Sequence, residues 1–405
     1  MALPATLLLG LVVAAAQGTA SAEWSQWRGP NRDGISAETG LLQQWPAGGP
    51  KPLWRGTGVG EGYSSFSHAA GRLYTLGARG DTEYVVALDA ATGKKVWETV
   101  NGRRFRNDRG DGPRSTPTVD GQRLYVFGGS GDLSCLDAGT GSKIWSLNVV
   151  QKLGGSNPYW GYSESPLVIG DRILVNVGGR RASIVAFAKQ DGRILWQNHD
   201  DEAGYSSPVL LRAGSFAQAV FFTGSRVLAV DPQNGRLVWS YNRVSNGTAN
   251  VATPVVRGSR VFVSSDYGTG AALLDVQAAV GGASATEVYF TRDMRNHHAS
   301  SVLVGDTLYG FSSSILTALT FETGKTAWRN RSVGKGSVIY GDQRLYLYSE
   351  DGVVGLADAS PAGYQERGRF EIAAVGPPTW SHPIIAGGRL IIRDQDHVYA
   401  YGIKP

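Results

Sequence analysis

Residues able to do chemistry are scattered along this chain rather than gathered into one motif. Arg114 and Lys335 can pair with carboxylate or phosphate oxygens, while Glu164 and Asp293 can hold a cation. Asn250 adds a neutral amide, and Tyr63, Trp160, Tyr162, Tyr205 and Trp380 offer rings on which a flat ligand can stack. His297, His298 and His382 are further donors. The pair His297-His298 invites a metal ion. Adjacent residues on an extended segment point to opposite sides, however, and no cysteine or His-x-Glu-x-x-His spacing accompanies them, so the pair is expected not to chelate one ion. No Gly-x-Ser-x-Gly nucleophile turn and no Gly-Lys-Ser/Thr phosphate loop occurs. Cys135 is the only cysteine, which excludes an internal disulfide. It stands where other segments carry Ala87, Ala186 and Ala229, and it is expected to act as a small buried residue rather than a reactive thiol.

Residues this far apart can meet only if the chain folds back on itself regularly, and an internal repeat supplies that regularity. Each unit has an apolar segment, a Gly-x-Arg-Leu-Tyr type turn and strand, an Ala-Leu-Asp strand, and a Thr-Gly-x-x-x-Trp turn and strand. Gly93 to Trp97, Gly141 to Trp145, Gly192 to Trp196, Gly235 to Trp239 and Gly324 to Trp328 share one spacing. Glycine suits a hairpin turn with positive φ, and the ring four residues later can pack the following strand. The fifth and seventh units lack the tryptophan, with Tyr289 or Phe290 and Phe370 in its place. The units begin near His68, Pro117, Pro166, Pro208, Pro254, Ser301, Ser337 and Pro383, a mean spacing of 45 residues, which suits a four-stranded propeller blade. The last unit has no room for a fourth strand, and Lys51-Pro52-Leu53-Trp54-Arg55 reads as the missing one. The expected fold is therefore all-β: a single eight-bladed β-propeller of four-stranded antiparallel blades, its ring closed by an N-terminal strand.

The clearest unit, Ala87-Leu88-Asp89-Ala90-Ala91-Thr92-Gly93-Lys94-Lys95-Val96-Trp97, resembles the pyrroloquinoline-quinone (PQQ)-like propeller repeat. The resemblance extends over residues 51 to 405. Families that share the repeat include quinoprotein alcohol dehydrogenases and the propeller lipoprotein of the outer-membrane protein assembly complex. The leading segment Trp24-Ser25-Gln26-Trp27-Arg28-Gly29-Pro30 looks like the start of exported bacterial PQQ-like proteins of unassigned function. The dehydrogenase likeness implies a calcium ion and PQQ held by a Glu, an Asn and an Asp. Glu164, Asn250 and Asp293 occur in that order, with Asp293 in the place of the catalytic base. The adjacent cysteine pair of those enzymes is absent.

The composition narrows the class further. The net charge of +5, from 39 Lys and Arg against 34 Asp and Glu, is spread along the chain and gives no nucleic-acid footprint. The densest basic run, Arg103-Arg104-Phe105-Arg106, reads as a solvated loop. Residues 1–22 read as a signal peptide, with an apolar stretch from Leu7 to Ala16 and Ala20-Ser21-Ala22 as cleavage site, although no Lys or Arg precedes the stretch. No cysteine follows to take a lipid anchor, and no later segment is apolar enough to span a membrane. Residues 23–50 are expected to form an N-terminal extension and 51–405 the propeller.

Functional side chains of a propeller sit on the loops leading into the innermost strands, which ring one mouth of the channel. On that surface Glu164, Asn250, Arg114, Trp160 and Lys335 are the expected ligand-binding residues. The reading is an exported, monomeric, non-catalytic binding or scaffolding propeller, periplasmic or secreted, whose partner is a protein or an extracellular polymer and which needs no metal. The alternative is a PQQ- and calcium-dependent oxidoreductase, with Asp293 as base and Glu164, Asn250 and Asp293 as calcium ligands.

Overall fold

The computed structural model describes residues 23–213, 216–279, 282–373, 375–376 and 378–405. The expected signal peptide, residues 1–22, lies outside them, as do Gly214 and Ser215 of the turn in the fourth unit. The chain is almost wholly β, with one short helix among the described residues, Val149–Leu153, capped by the Asn148 side chain. Its strands form eight separate sheets in chain order. Each is an antiparallel blade. In blade 3, for example, strands Leu167–Ile169, Arg172–Gly179, Ala182–Ala188 and Ile194–Asn198 pair in sequence. The middle two strands of that blade are buried and the fourth is half-exposed, as expected for an outer edge.

Blade 8 completes itself with the N-terminal strand. Lys51–Gly56 pairs antiparallel with His397–Gly402, and Trp54 lies opposite Ala400. The chain ends are thus joined by a ladder of backbone hydrogen bonds, which removes two open sheet edges.

The repeated glycine and tryptophan work across blades. Trp145 on the outer strand of blade 2 donates its indole N–H to the Lys189 carbonyl of blade 3 at 3.0 Å. A Cβ on Gly192 of blade 3 would meet the Trp145 ring at 2.7 Å, and that glycine has φ +71°. One residue therefore serves both the left-handed turn and the close approach of the neighbouring ring. The pattern repeats for Trp54 to Ala90, Trp97 to Ala138, Trp196 to Pro232 and Trp328 to Ser360. In blade 5 the residue that takes over is Tyr289, whose hydroxyl donates to the Phe321 carbonyl at 2.8 Å. Phe290 instead carries the Arg243 guanidinium on its face. Trp239 departs from the pattern by turning to Gln218 of its own blade. These rings are half-buried rather than enclosed, Trp239 excepted. On the adjacent strand a small residue faces each of these tryptophans: Ala400 opposite Trp54, then Ala87, Ala186, Ala229, Ala318 and, opposite Trp145, Cys135. Cys135 is fully buried there, and burial pushes its thiol pKa up.

The N-terminal extension has a role that repeat counting does not reveal. Residues 24–42 reach every blade. Trp24 exchanges two backbone hydrogen bonds with His68 of blade 1, and the Ser25 carbonyl accepts from Val119 of blade 2. The buried Arg32 donates to the carbonyls of Ser165, Pro166 and Pro208, where the chain runs into blades 3 and 4. The indole of Trp27 donates to Thr253 beside blade 5 at 2.8 Å, and Arg28 donates to Ser300 and Ser301 at blade 6. Ile35–Ser36 then adds a parallel strand to the inner edge of blade 7, and Glu38 accepts from Gly388 of blade 8. The segment plugs the channel. Its two guanidiniums satisfy carbonyls that the converging inner strands would otherwise bury without partners.

Candidate functional site

Above the plug the loops leading into the inner strands enclose a cavity of about 560 Å³. Trp27 belongs to its floor, with its ring 4.6 Å from that of His382. All eight blades contribute to the wall: Tyr63, Arg109 and Arg114, Trp160, Tyr205, Val251, His297 and His298, Lys335, and Trp380 with His382. Tyr267, on the hairpin between the second and third strands of blade 5, completes it. Plugged from below, the channel is a cup open at one mouth.

The wall is aromatic and cationic. Tyr63 packs against Trp380 at 5.1 Å and Trp160 against Tyr205 at 5.5 Å. Arg114 lies over Tyr63 and Phe105, and its guanidinium donates to the Gly110 and Gly112 carbonyls at 2.7 Å each. Burial lowers its pKa below the usual arginine value. Phe105 thus supports a cup residue, and Arg104 beside it pairs with Glu61 and Asp111 with its side chain only 12% exposed. The run read as a solvated loop is in part a packed one, with Arg103 and Arg106 as its exposed members.

The histidines are held neutral. Burial lowers the pKa of His297 and pushes that of His298 well below its ordinary value, and Lys335 acts on both in the same direction. Burial takes His382 down to about 3, assisted by Arg28. The positive charge of the cup therefore comes from Arg109, Arg114 and Lys335. No Asp or Glu lines it among the described residues. Glu350 stands behind the wall and accepts from the Trp380 indole at 2.6 Å and from Lys335 at 2.9 Å.

The structure brings Arg114, Trp160 and Lys335 to one cavity but does not bring Glu164, Asn250 and Asp293 together. Glu164 is buried beneath the mouth, where the Asn176 backbone N–H donates to it. Burial raises its pKa to about 8 despite nearby Arg32. Asn250 is also buried; it donates to the carbonyls of Thr223 and Gly224 and accepts from the Asn246 N–H, which fastens a loop. Asp293 sits at the perimeter, paired with Arg329 at 2.7 Å and bonded by the Thr326 hydroxyl, both on the outer strand of blade 6. These three do not fit a shared calcium ion, whose ligands must lie within about 2.3–2.6 Å of it. Asp293 is correspondingly remote from any ligand in the cup. The sequence reading missed Trp27, Arg109 and Tyr267 as wall residues, and Glu350 behind them. A tryptophan in the extension was the one available signal.

Fold and cavity define an eight-bladed propeller with a plugged, ligand-sized cup. Residues 81–330 match the PQQ_2 family, described as outer membrane protein assembly factor BamB, and the chain belongs to that family. It is 25% identical over 395 residues to outer membrane protein assembly factor BamB of Burkholderia pseudomallei, spanning 92% of this chain and 93% of that one. It is 22% identical over 287 residues to the quinoprotein alcohol dehydrogenase PedH of Pseudomonas putida, but that match spans 69% of this chain and only 44% of the dehydrogenase. Among solved structures, BamB from Moraxella catarrhalis aligns over 87% of this chain and 99% of its own, with TM-score 0.64 and 16% identity. A europium-containing methanol dehydrogenase aligns over 93% of this chain and 90% of its own, with TM-score 0.68 and 11% identity. The fold is thus common to assembly factors and to quinoprotein enzymes. No helix among the described residues is long and apolar enough to cross a membrane.

Proposed function

We infer that this chain is an exported, non-catalytic binding propeller, periplasmic or secreted and acting as a monomer, whose cup takes an anionic group from a protein or extracellular polymer. One observation carries the reading: the cup presents Arg109, Arg114 and Lys335 among tryptophan and tyrosine rings, with no carboxylate in its lining among the described residues. Cations of this kind pair with carboxylates, and the rings stack on flat or sugar-like groups. The near full-length match to an assembly factor supports a scaffolding role in general.

Trp27, Trp160 and Trp380 line the cup, so ligand entry should alter intrinsic fluorescence. Acidic peptides and uronic-acid oligosaccharides should quench it saturably, with affinity falling as salt rises. Neutral oligosaccharides of equal length should not. Equal response to charged and neutral probes would overturn the reading. The cation and ring content favours a second reading, PQQ itself, since PQQ is a flat polycarboxylate. Saturable uptake of PQQ, read as a shift in quinone absorbance and weakened by Arg114→Ala, would establish that reading in place of the first.

A further inference from the structure

The cup holds a cluster that the anion reading does not use. His297, His298 and Glu350 each offer a ligand atom, and these atoms lie within 4.8 Å of one another. Adjacent histidines were expected to point apart. The chain bends at His297–Ala299 instead of running extended, and the two rings sit 5.9 Å apart at 74°. The Nδ1 atoms of both are buried without a hydrogen-bond partner. His298 Nδ1 already lies 3.5 Å from Glu350 Oε1.

The surroundings orient these groups as ligands. Nε2 of His297 faces the Tyr267 hydroxyl at 3.1 Å, and in the tautomer whose Nε2–H donates to that hydroxyl Nδ1 carries the lone pair a metal needs. The Glu350 backbone is tied to both neighbouring loops: its N–H donates to Lys335 and its carbonyl accepts from Thr379. Its carboxylate is steered by the Trp380 indole. Trp380, Lys335 and His298 all address Oε1, so Oε2 stays available to a ligand. Fixed outer partners of this kind set tautomer and direction in metal centres.

We propose that His297, His298 and Glu350 form a divalent transition-metal site of the zinc class on the wall of the cup. Two imidazoles and one carboxylate suit zinc, with bonds of about 2.0–2.2 Å and ligand atoms about 3.3 Å apart, so the three groups, now within 4.8 Å of one another, must draw together as the metal enters. Three protein ligands leave a fourth position for water or for a group entering the cavity. The competing charge is Lys335, 2.9 Å from the same carboxylate; it must swing away as the metal enters. The site shares Lys335 with the anion reading but does not rest on it, since its ligands are His297, His298 and Glu350 and its probe is the metal alone.

The test titrates chelator-stripped, tag-free protein with zinc chloride by calorimetry. One equivalent should bind, and His298→Ala and Glu350→Gln should each weaken binding at least tenfold. Lys335→Met should tighten it several-fold by removing the like charge, a gain that a merely structural role would not produce. X-ray absorption of the zinc-loaded wild-type protein needs no variant and should show two imidazoles in the shell. The proposal is overturned if no saturable equivalent binds, if affinity is indifferent to these substitutions, or if the shell lacks imidazole.

Discussion

The indole N–H of Trp27 donates to the Thr253 hydroxyl at 2.8 Å and so joins residues 226 positions apart. This bond fixes the floor of the cup and ties the N-terminal plug to the far side of the ring. Trp27→Ala should therefore act on two properties. Denaturant unfolding should show a loss of about 2–4 kcal/mol, as for a partly buried large ring. Fluorescence titration with an acidic peptide should show weaker binding, because the floor recedes.

Arg32 tests the plug alone, since it lies outside the cup lining. Arg32→Ala leaves the carbonyls of Ser165 and Pro208 buried without their side-chain donor and Pro166 with only the Thr118 hydroxyl. The expected loss is about 3–5 kcal/mol. Arg32→Lys should recover only part of it, because one ammonium cannot reproduce the planar fork. Full recovery by lysine in thermal unfolding would show that charge, not geometry, matters here.

The clamps between blades separate ring packing from hydrogen bonding. Trp145→Phe keeps a ring near Gly192 but loses the bond to the Lys189 carbonyl, and should cost about 1 kcal/mol. Trp145→Ala should cost about 2–4 kcal/mol. Ligand binding should be unchanged in both, because Trp145 stands on an outer strand away from the cup.

Glu164 gives stability a pH dependence with a definite sign. Its native pKa is raised by burial from 4.5 to about 8. Between those values the native carboxyl keeps a proton that the unfolded chain has released. Its contribution is thus fully present below about pH 4.5 and declines as pH rises towards 8, on the order of 1 kcal/mol per unit. Glu164→Gln keeps an acceptor for the Asn176 N–H and should flatten this part of the profile in denaturant midpoints measured from pH 5 to 9. A profile that keeps its slope in the variant would remove Glu164 as the cause.

How much of this was legible beforehand depended on what fixes each residue. The Gly-x-x-x-Trp spacing, set by a turn and a ring contact within one hairpin and its neighbour, marked five units, and the recurring entries from His68 to Pro383 let all eight blades be counted from the sequence. The missing fourth strand of the last unit likewise placed Trp54 opposite Ala400. Loop side chains are set by no such period. Arg114, Trp160 and Lys335 were found because their loops lead into inner strands, whereas the same argument selected Glu164 and Asn250, which turn inward to fasten backbone. Asp293 follows an outer strand and stays at the perimeter with Arg329. The bend that brings His297 and His298 to Glu350 depends on contacts with blade 7 and Trp380, which local sequence does not record.

The reach of residues 24–42 to every blade also fixes an order of events. The segment cannot dock until the carbonyls of Ser165, Pro208 and Ser300 stand around the axis, so the earliest part of the described chain is the last to settle. Glu38 and Gly388 are 350 positions apart, and the Leu42 N–H reaches the still more distant Ile403 carbonyl. Contacts of such separation slow folding, because the intervening chain must be organised before they can form. A plug that docks last would leave an open channel until then and give the cup its floor only in the closing step.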